Sequence, residues 1–126
     1  MPRAVRVLVV DDHPVIRELL SQVFGGLGCK VSTARDGDEA LATLADFPFD
    51  MVCLDRHMPG ISGDEVAARL PADRFLVAHS TDLADLPARF NHILPKPVTS
   101  LDAVVALQAA LAWRAAAHAA VQARVA

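Results

Sequence analysis

Cysteine is scarce in this sequence, with two residues in 126, Cys29 and Cys53, and neither sits in a CxxC or a Cys/His cluster. Such spacing argues against a disulfide scaffold and reads as two reduced thiols acting as small core hydrophobes. A net charge of −3 supplies no broad attraction to nucleic acid or to an anionic membrane. The opening MPRAVRVLVV is too short, and too soon followed by acids, for a signal peptide, and no run is read as reaching membrane-spanning length. GxxxxGK[ST] is absent too, so nucleotide binding on a P-loop is not indicated. The expectation is a cytoplasmic protein without direct nucleic-acid or membrane contact.

What the chain has is apolar residues, 53 % of its length, enough for one domain spanning 1–126 with its own core. Strand and helix periods alternate throughout. Val5, Val7, Leu8, Val9 and Val10 form a β-branched run suited to an interior parallel strand. Pro14 opens a helix whose apolar positions run from Val15 to Leu27, with Gly25 and Gly26 expected to end or loosen it. Cys29 to Ala34 predicts a second strand, Asp36-Gly37 a helix to about Ala45, and Phe49 to Leu54 a third strand. Ser62 and Glu65 fit a capping box for a helix stopped by Pro71. Phe75 to Ala78 predicts a fourth strand. Ile93 and Leu94 predict a brief fifth strand, with Pro95 favouring an edge. From Ser100 an alanine-rich segment reads as helix to the end.

Five strands alternating with helices imply a three-layer, doubly wound α/β fold with a five-stranded parallel sheet, whose ligands bind at the carboxyl ends of the strands. Asp11 and Asp12 then follow strand one, Asp55 strand three, Ser80 and Thr81 strand four, and Lys96 strand five. All converge on one edge. Three carboxylates there call for positive charge, and a hard divalent cation such as magnesium suits oxygen ligands and phosphoryl chemistry. Asp55 is the candidate nucleophile, Asp11 and Asp12 the candidate metal-site acids, and Lys96 and a hydroxyl the groups that neutralise phosphoryl oxygens.

The motifs VLVVDDHP, MVCLDRHMPGISG, LVAHST and LPKPV, over about residues 5 to 112, resemble the receiver domain of two-component response regulators (CheY-like). The resemblance implies strand order 2-1-3-4-5, Asp55 as phosphoacceptor, Asp11 and Asp12 with Asp55 and the His57 backbone carbonyl at a Mg2+ site where Mn2+ can substitute, Ser80 as switch hydroxyl and Lys96 as the phosphate-contacting lysine. It further implies phosphate supplied by a histidine kinase or histidine phosphotransfer protein, and lifetime tuning by His57 and Asp82.

Several residues depart from that pattern. Ile93 stands where the family often carries an aromatic switch, and the chain has no tyrosine at all. Thr81 stands at a usually small position and is the alternative hydroxyl to Ser80. Arg56 and His57 replace milder residues beside the acceptor. Only 14 residues, His79 to His92, lie between the fourth and fifth strand cores, close to the dozen or so a parallel crossover requires. With Pro87 inside this stretch, the fourth helix is expected to be shortened to one or two turns, or irregular.

The function expected is that of a phosphoaccepting receiver signalling through protein–protein contact, not an enzyme beyond magnesium-dependent self-phosphorylation and autodephosphorylation. The alternatives are a phosphorylation-independent receiver-like interaction module and the receiver of a hybrid histidine kinase. A phosphate-ester hydrolase lacks an evident water-positioning base. No room for an output domain follows the last helix as the sequence stands. Residues 113–126 extend that helix, and Val104, Leu107, Leu111 and Trp113 are the expected homodimer or partner interface.

Overall fold

The computed structural model describes residues 3–125. Its elements are β1 (Arg6–Val10), α1 (Pro14–Gly26), β2 (Lys30–Ala34), α2 (Gly37–Asp46), β3 (Met51–Asp55), α3 (Gly63–Arg69), β4 (Leu76–Ser80), β5 (His92–Pro95) and α4 (Ser100–Val125). The sheet is parallel with order β2-β1-β3-β4-β5, as the resemblance implied. Alternate strand residues serve two cores. Leu8, Val10, Val52, Leu54, Leu76 and Ala78 meet Ala40, Leu44, Val66 and Ala67 of α2 and α3. Val7, Val9, Met51, Cys53, Val77 and Leu94 meet Leu20 and Phe24 of α1 and Ala103, Ala106 and Ala110 of α4. Each fully buried Leu or Phe contributes about 1.5–3 kcal/mol, which is why the three middle strands, apolar on both faces, define the fold.

Local signals acted with some shifts. Helix α1 ends at Gly26, within the pair expected to end or loosen it, and Gly28, at φ 89°, makes the turn that follows. The Ser62 hydroxyl accepts from Glu65 N at 3.1 Å, but the Glu65 carboxylate turns to Arg69 at 3.7 Å, so only half of the expected box forms. A reciprocal box occurs at the next helix. Thr99 Oγ1 accepts from Asp102 N at 3.1 Å, and Asp102 Oδ2 accepts from Thr99 N at 3.2 Å, which starts α4 at Ser100. Thr99→Ala is expected to cost about 1 kcal/mol of stability, read as a shift in urea midpoint with unchanged m-value.

Between β4 and β5 the chain is irregular, the second of the two expected outcomes, because the segment is short and Pro87 cannot continue a helix. Leu86 and Phe90 pack onto the α2/α3 side of the sheet in the missing helix's stead. Asn91 ties the end of the loop to β4 with two hydrogen bonds of 2.8 Å, one from its backbone N–H to Leu76 O and one from Leu76 N to its side-chain oxygen.

Two expectations about the last helix are corrected. Leu107 and Trp113 turn inward onto the α1/α4 core, Trp113 lying 5.7 Å from the Phe75 ring, because the buried stripe Ala103-Ala106-Ala110 brings the helix close enough for the larger side chains beside it to pack. Val104 is half-buried and Leu111 is exposed. The stretch Ser100–Arg124 is also long and apolar enough to cross a membrane by length and composition, with an 18-residue window of mean hydropathy 1.4, contrary to the expectation that no run reaches that length. Its many alanines raise the average without bulky side chains. Its first half packs on the sheet, and residues 114–124 are exposed.

Candidate functional site

The parallel register delivers the expected residues to one edge. Asp55 is the last residue of β3 and Ser80 the last of β4, while Asp11, Asp12 and Lys96 lie just beyond β1 and β5. Lys96 Nζ stands 3.4 Å from Asp55 Oδ1 and 3.5 Å from Asp11 Oδ2, bridging the two buried carboxylates. The Lys96-Pro97 peptide is cis. Asp11 Oδ1 accepts from His13 N at 2.9 Å, and Arg17 donates to the Asp11 carbonyl at 2.8 Å, so the turn after β1 is fixed from both sides.

Asp11, Asp12, His13 and Asp55 each bring one ligand atom within 4.8 Å of all the others. Asp11 Oδ2 and Asp12 Oδ1 are buried without a well-formed hydrogen bond among the described residues. Hard oxygen donors with unmet bonding capacity fit a divalent cation of the magnesium type. His13 belongs to this cluster and was given no role from the sequence. Its Nδ1 lies 3.2 Å from Asp11 Oδ1 and 3.1 Å from Asp12 Oδ1.

Burial first, and then the charge of Asp11, raises the Asp55 carboxyl above the usual carboxylate range, with Lys96 opposing. A carboxyl raised in the folded state contributes stability that is full below its unfolded value and is lost as pH rises through the folded value. Asp55→Asn is therefore expected to stabilise the metal-free protein at neutral pH, and its advantage over the wild type should shrink as pH falls into the carboxylate range. Urea midpoints across pH check this, and a difference independent of pH would contradict it.

Ser80 is buried and its Oγ accepts from Asp82 N at 3.1 Å, whereas Thr81 is exposed. His57 N donates to Asp55 Oδ1 at 3.3 Å, and His57 Nε2 lies 3.0 Å from Asp82 Oδ2. The Asp82 carboxyl is held below its ordinary range by the Ala84 N–H and then by His57. Ile93 is 38 % exposed on β5. Arg56, given no role from the sequence, is buried. So is His79, whose imidazole is pushed down to about 4 by burial and by Lys96 and is therefore neutral at pH 7.

This edge, with its acid cluster, lysine and hydroxyl on a 2-1-3-4-5 sheet, has the arrangement of a receiver domain. Residues 7–108 match the Response regulator receiver domain family, and the chain belongs to that family. It is 40 % identical over 114 residues to the positive alginate biosynthesis regulatory protein of Pseudomonas aeruginosa, covering 82 % of this chain and 46 % of that one. Over 64 residues it is 42 % identical to the sensor histidine kinase RcsC of Escherichia coli, covering 51 % of this chain and 7 % of the kinase. The chain thus spans less than half the length of these curated relatives. Among solved structures, the response regulator TrrA of Thermotoga maritima, in complex with Mg2+-BeF, superposes with a TM-score of 0.79 at 32 % identity, covering 84 % of this chain and 98 % of TrrA.

Proposed function

We propose that this receiver accepts a phosphoryl group on Asp55 from a phosphohistidine of a histidine kinase or phosphotransfer protein, and signals by protein association. The observation that carries the reading is the Asp55 carboxylate at the carboxyl edge of the sheet, 3.4 Å from Lys96 and grouped with Asp11 and Asp12. An Asp55 oxygen attacks phosphorus, the P–N bond to the donor imidazole breaks, and the imidazole leaves with its electron pair and takes up a proton, leaving an acyl phosphate. Lys96 neutralises charge on the transferring oxygens, and the Ser80 hydroxyl donates to one of them. Asp11, Asp12, Asp55 and the His57 carbonyl would hold Mg2+, or Mn2+ in its place, which supplies charge neutralisation when bound. The Mg2+-BeF complex of TrrA supports that assignment. Lifetime tuning is assigned to His57 and Asp82, which pair beside the acceptor.

The donor must approach over the cleft, and the apolar surface bordering it is α1, where Val15 is 77 % and Leu19 41 % exposed. Self-association is assigned to the outer face of α4 through Leu111 and Val121, since Leu107 and Trp113 belong to the core. Molar mass against concentration, for the full chain and a truncation after Arg114, tests it. A cytoplasmic setting is proposed from the two free thiols, of which Cys53 is buried with its pKa pushed up to about 12. A receiver within a longer sensor kinase is the second setting, favoured by the stretch similar to RcsC. A phosphorylation-independent module is the rival mechanism, favoured by Ile93, which has no ring to swing.

The deciding experiment is intact-protein mass after incubation with Mg2+ and a small phosphoramidate donor. One added phosphoryl group on the wild type and none on Asp55→Asn supports the reading. Equal labelling of both, or none on either, rejects it.

A further inference from the structure

Arg56 follows Asp55 directly, yet its guanidinium is turned inward and the residue is only 4 % exposed. A buried cation is tolerable only when paired and hydrogen-bonded. Arg56 is both. Nε and Nη2 donate to the two oxygens of Asp64, on the first turn of α3, at 3.0 Å each. Nη1 donates to the carbonyls of Asp82 and Ala84 at 2.8 and 2.9 Å, and Nη2 to that of Asp85 at 3.4 Å. Hydrogen bonding to Asp64 raises its pKa further, so the clamp keeps its charge at any ordinary pH.

Those three carbonyls lie in the segment where the chain is too short for a helix. In a helix such groups would find backbone N–H partners; here one side chain satisfies them. Asp85 sits at φ 50°, a left-handed conformation uncommon for a residue with a Cβ, and its carbonyl is among those bound. The same segment is tied to the acceptor side by Asp82, whose N–H goes to Ser80 Oγ and whose carboxylate meets His57. Asp55, Arg56, Asp82 and His57 therefore form a closed loop of covalent and hydrogen-bonded links, to which Ser80 is joined through the Asp82 N–H.

We propose that Arg56 is a positioning residue: its clamp on residues 82–85 stands in for the missing helix and sets Ser80 and Asp82 relative to Asp55. The positioning part rests on geometry alone. Its consequence for the acyl phosphate rests on the phosphoacceptor reading.

The test uses the full chain with Arg56→Met, which fills the same space without donors, and Arg56→Lys, which can pair with Asp64 but has a single nitrogen for the three carbonyls. Hydrogen exchange on the unphosphorylated protein is expected to show protection at the Asp82 and Ala84 amides falling about tenfold while the β1 and β3 amides keep theirs. The decay of the Asp55 adduct, followed by intact mass, should change by about threefold or more in the same variants. Protection at Asp82 and Ala84 equal to the wild type, or a loss spread evenly over the sheet, overturns the proposal. If Arg56→Met fails to fold, Arg56→Lys decides by the same criterion. Local loosening with an unchanged adduct lifetime overturns the link to Ser80 and Asp82. Local loosening with no adduct on any protein, wild type included, supports the clamp and rejects the phosphoacceptor reading, so the two failures are distinct.

Discussion

Gly63→Ala is expected to be the most damaging single-methyl change in the protein. A Cβ built on Gly63 would lie 2.0 Å from the Asp55 carbonyl oxygen, 2.8 Å from its carbon and 3.0 Å from Arg56 Cα. All three are backbone atoms, so no side-chain rotation relieves the clash. Gly63 N also donates to the Arg56 carbonyl at 3.0 Å, which holds the start of α3 against the end of β3. Displacing this contact moves the acceptor strand or the helix, at a cost on the order of 3 kcal/mol, the upper end for overpacking a rigid site. Gly25→Ala is the control. Gly25 lies inside α1 with nothing within 4 Å of its added methyl, so alanine should stabilise by about 0.5–1 kcal/mol. Urea denaturation of both variants reads the contrast. A Gly63→Ala midpoint equal to the wild type would contradict the close approach of α3 to Asp55.

Lys96→Met is expected to slow phosphoryl acceptance about a hundredfold, the usual consequence of deleting one charge-stabilising donor from a phosphoryl or oxyanion site. Lys96 is the cation within 4 Å of both Asp11 and Asp55, and without it two buried carboxylates face each other across the cleft. Methionine keeps the length and apolar stem of the side chain. The acid cluster remains, so Mn2+ binding, followed by relaxation of water protons, should fall far less than the labelling rate. Parallel losses in both would show that Lys96 holds the cluster together instead of serving the transferred group.

Much of this protein was legible from its sequence because the information was periodic. The runs at Val7–Val10 and Met51–Leu54 are apolar at every position, which only a strand covered on both faces explains, and parallel topology then carries Asp11, Asp12, Asp55, Ser80 and Lys96 to one edge. What was not legible depended on three-dimensional partners. Thr99 was overshadowed by Ser100 as the opening of α4, although the spacing Thr99-x-x-Asp102 carries the signal for it. Arg56 reads as a surface charge until the loop 82–85 folds over it, since nothing local predicts carbonyls from residues 26 or more positions away. Trp113 and Leu107 stand among the expected interface residues because apolar bulk alone does not say which way a helix faces, and the buried stripe is the alanines at 103, 106 and 110. In this close-packed helix–sheet contact the larger neighbours follow that stripe inward.

Site mapping of the adduct tests the central claim most directly. Borohydride reduces an acyl phosphate to the alcohol, so a phosphorylated aspartate is recovered as homoserine at its own position. After transfer from a phosphorylated histidine phosphotransfer domain in the presence of Mg2+, homoserine is expected at position 55 and at no other aspartate. Homoserine at position 11, 12 or 82, or its absence from position 55 in protein that has gained a phosphoryl group, would contradict the account.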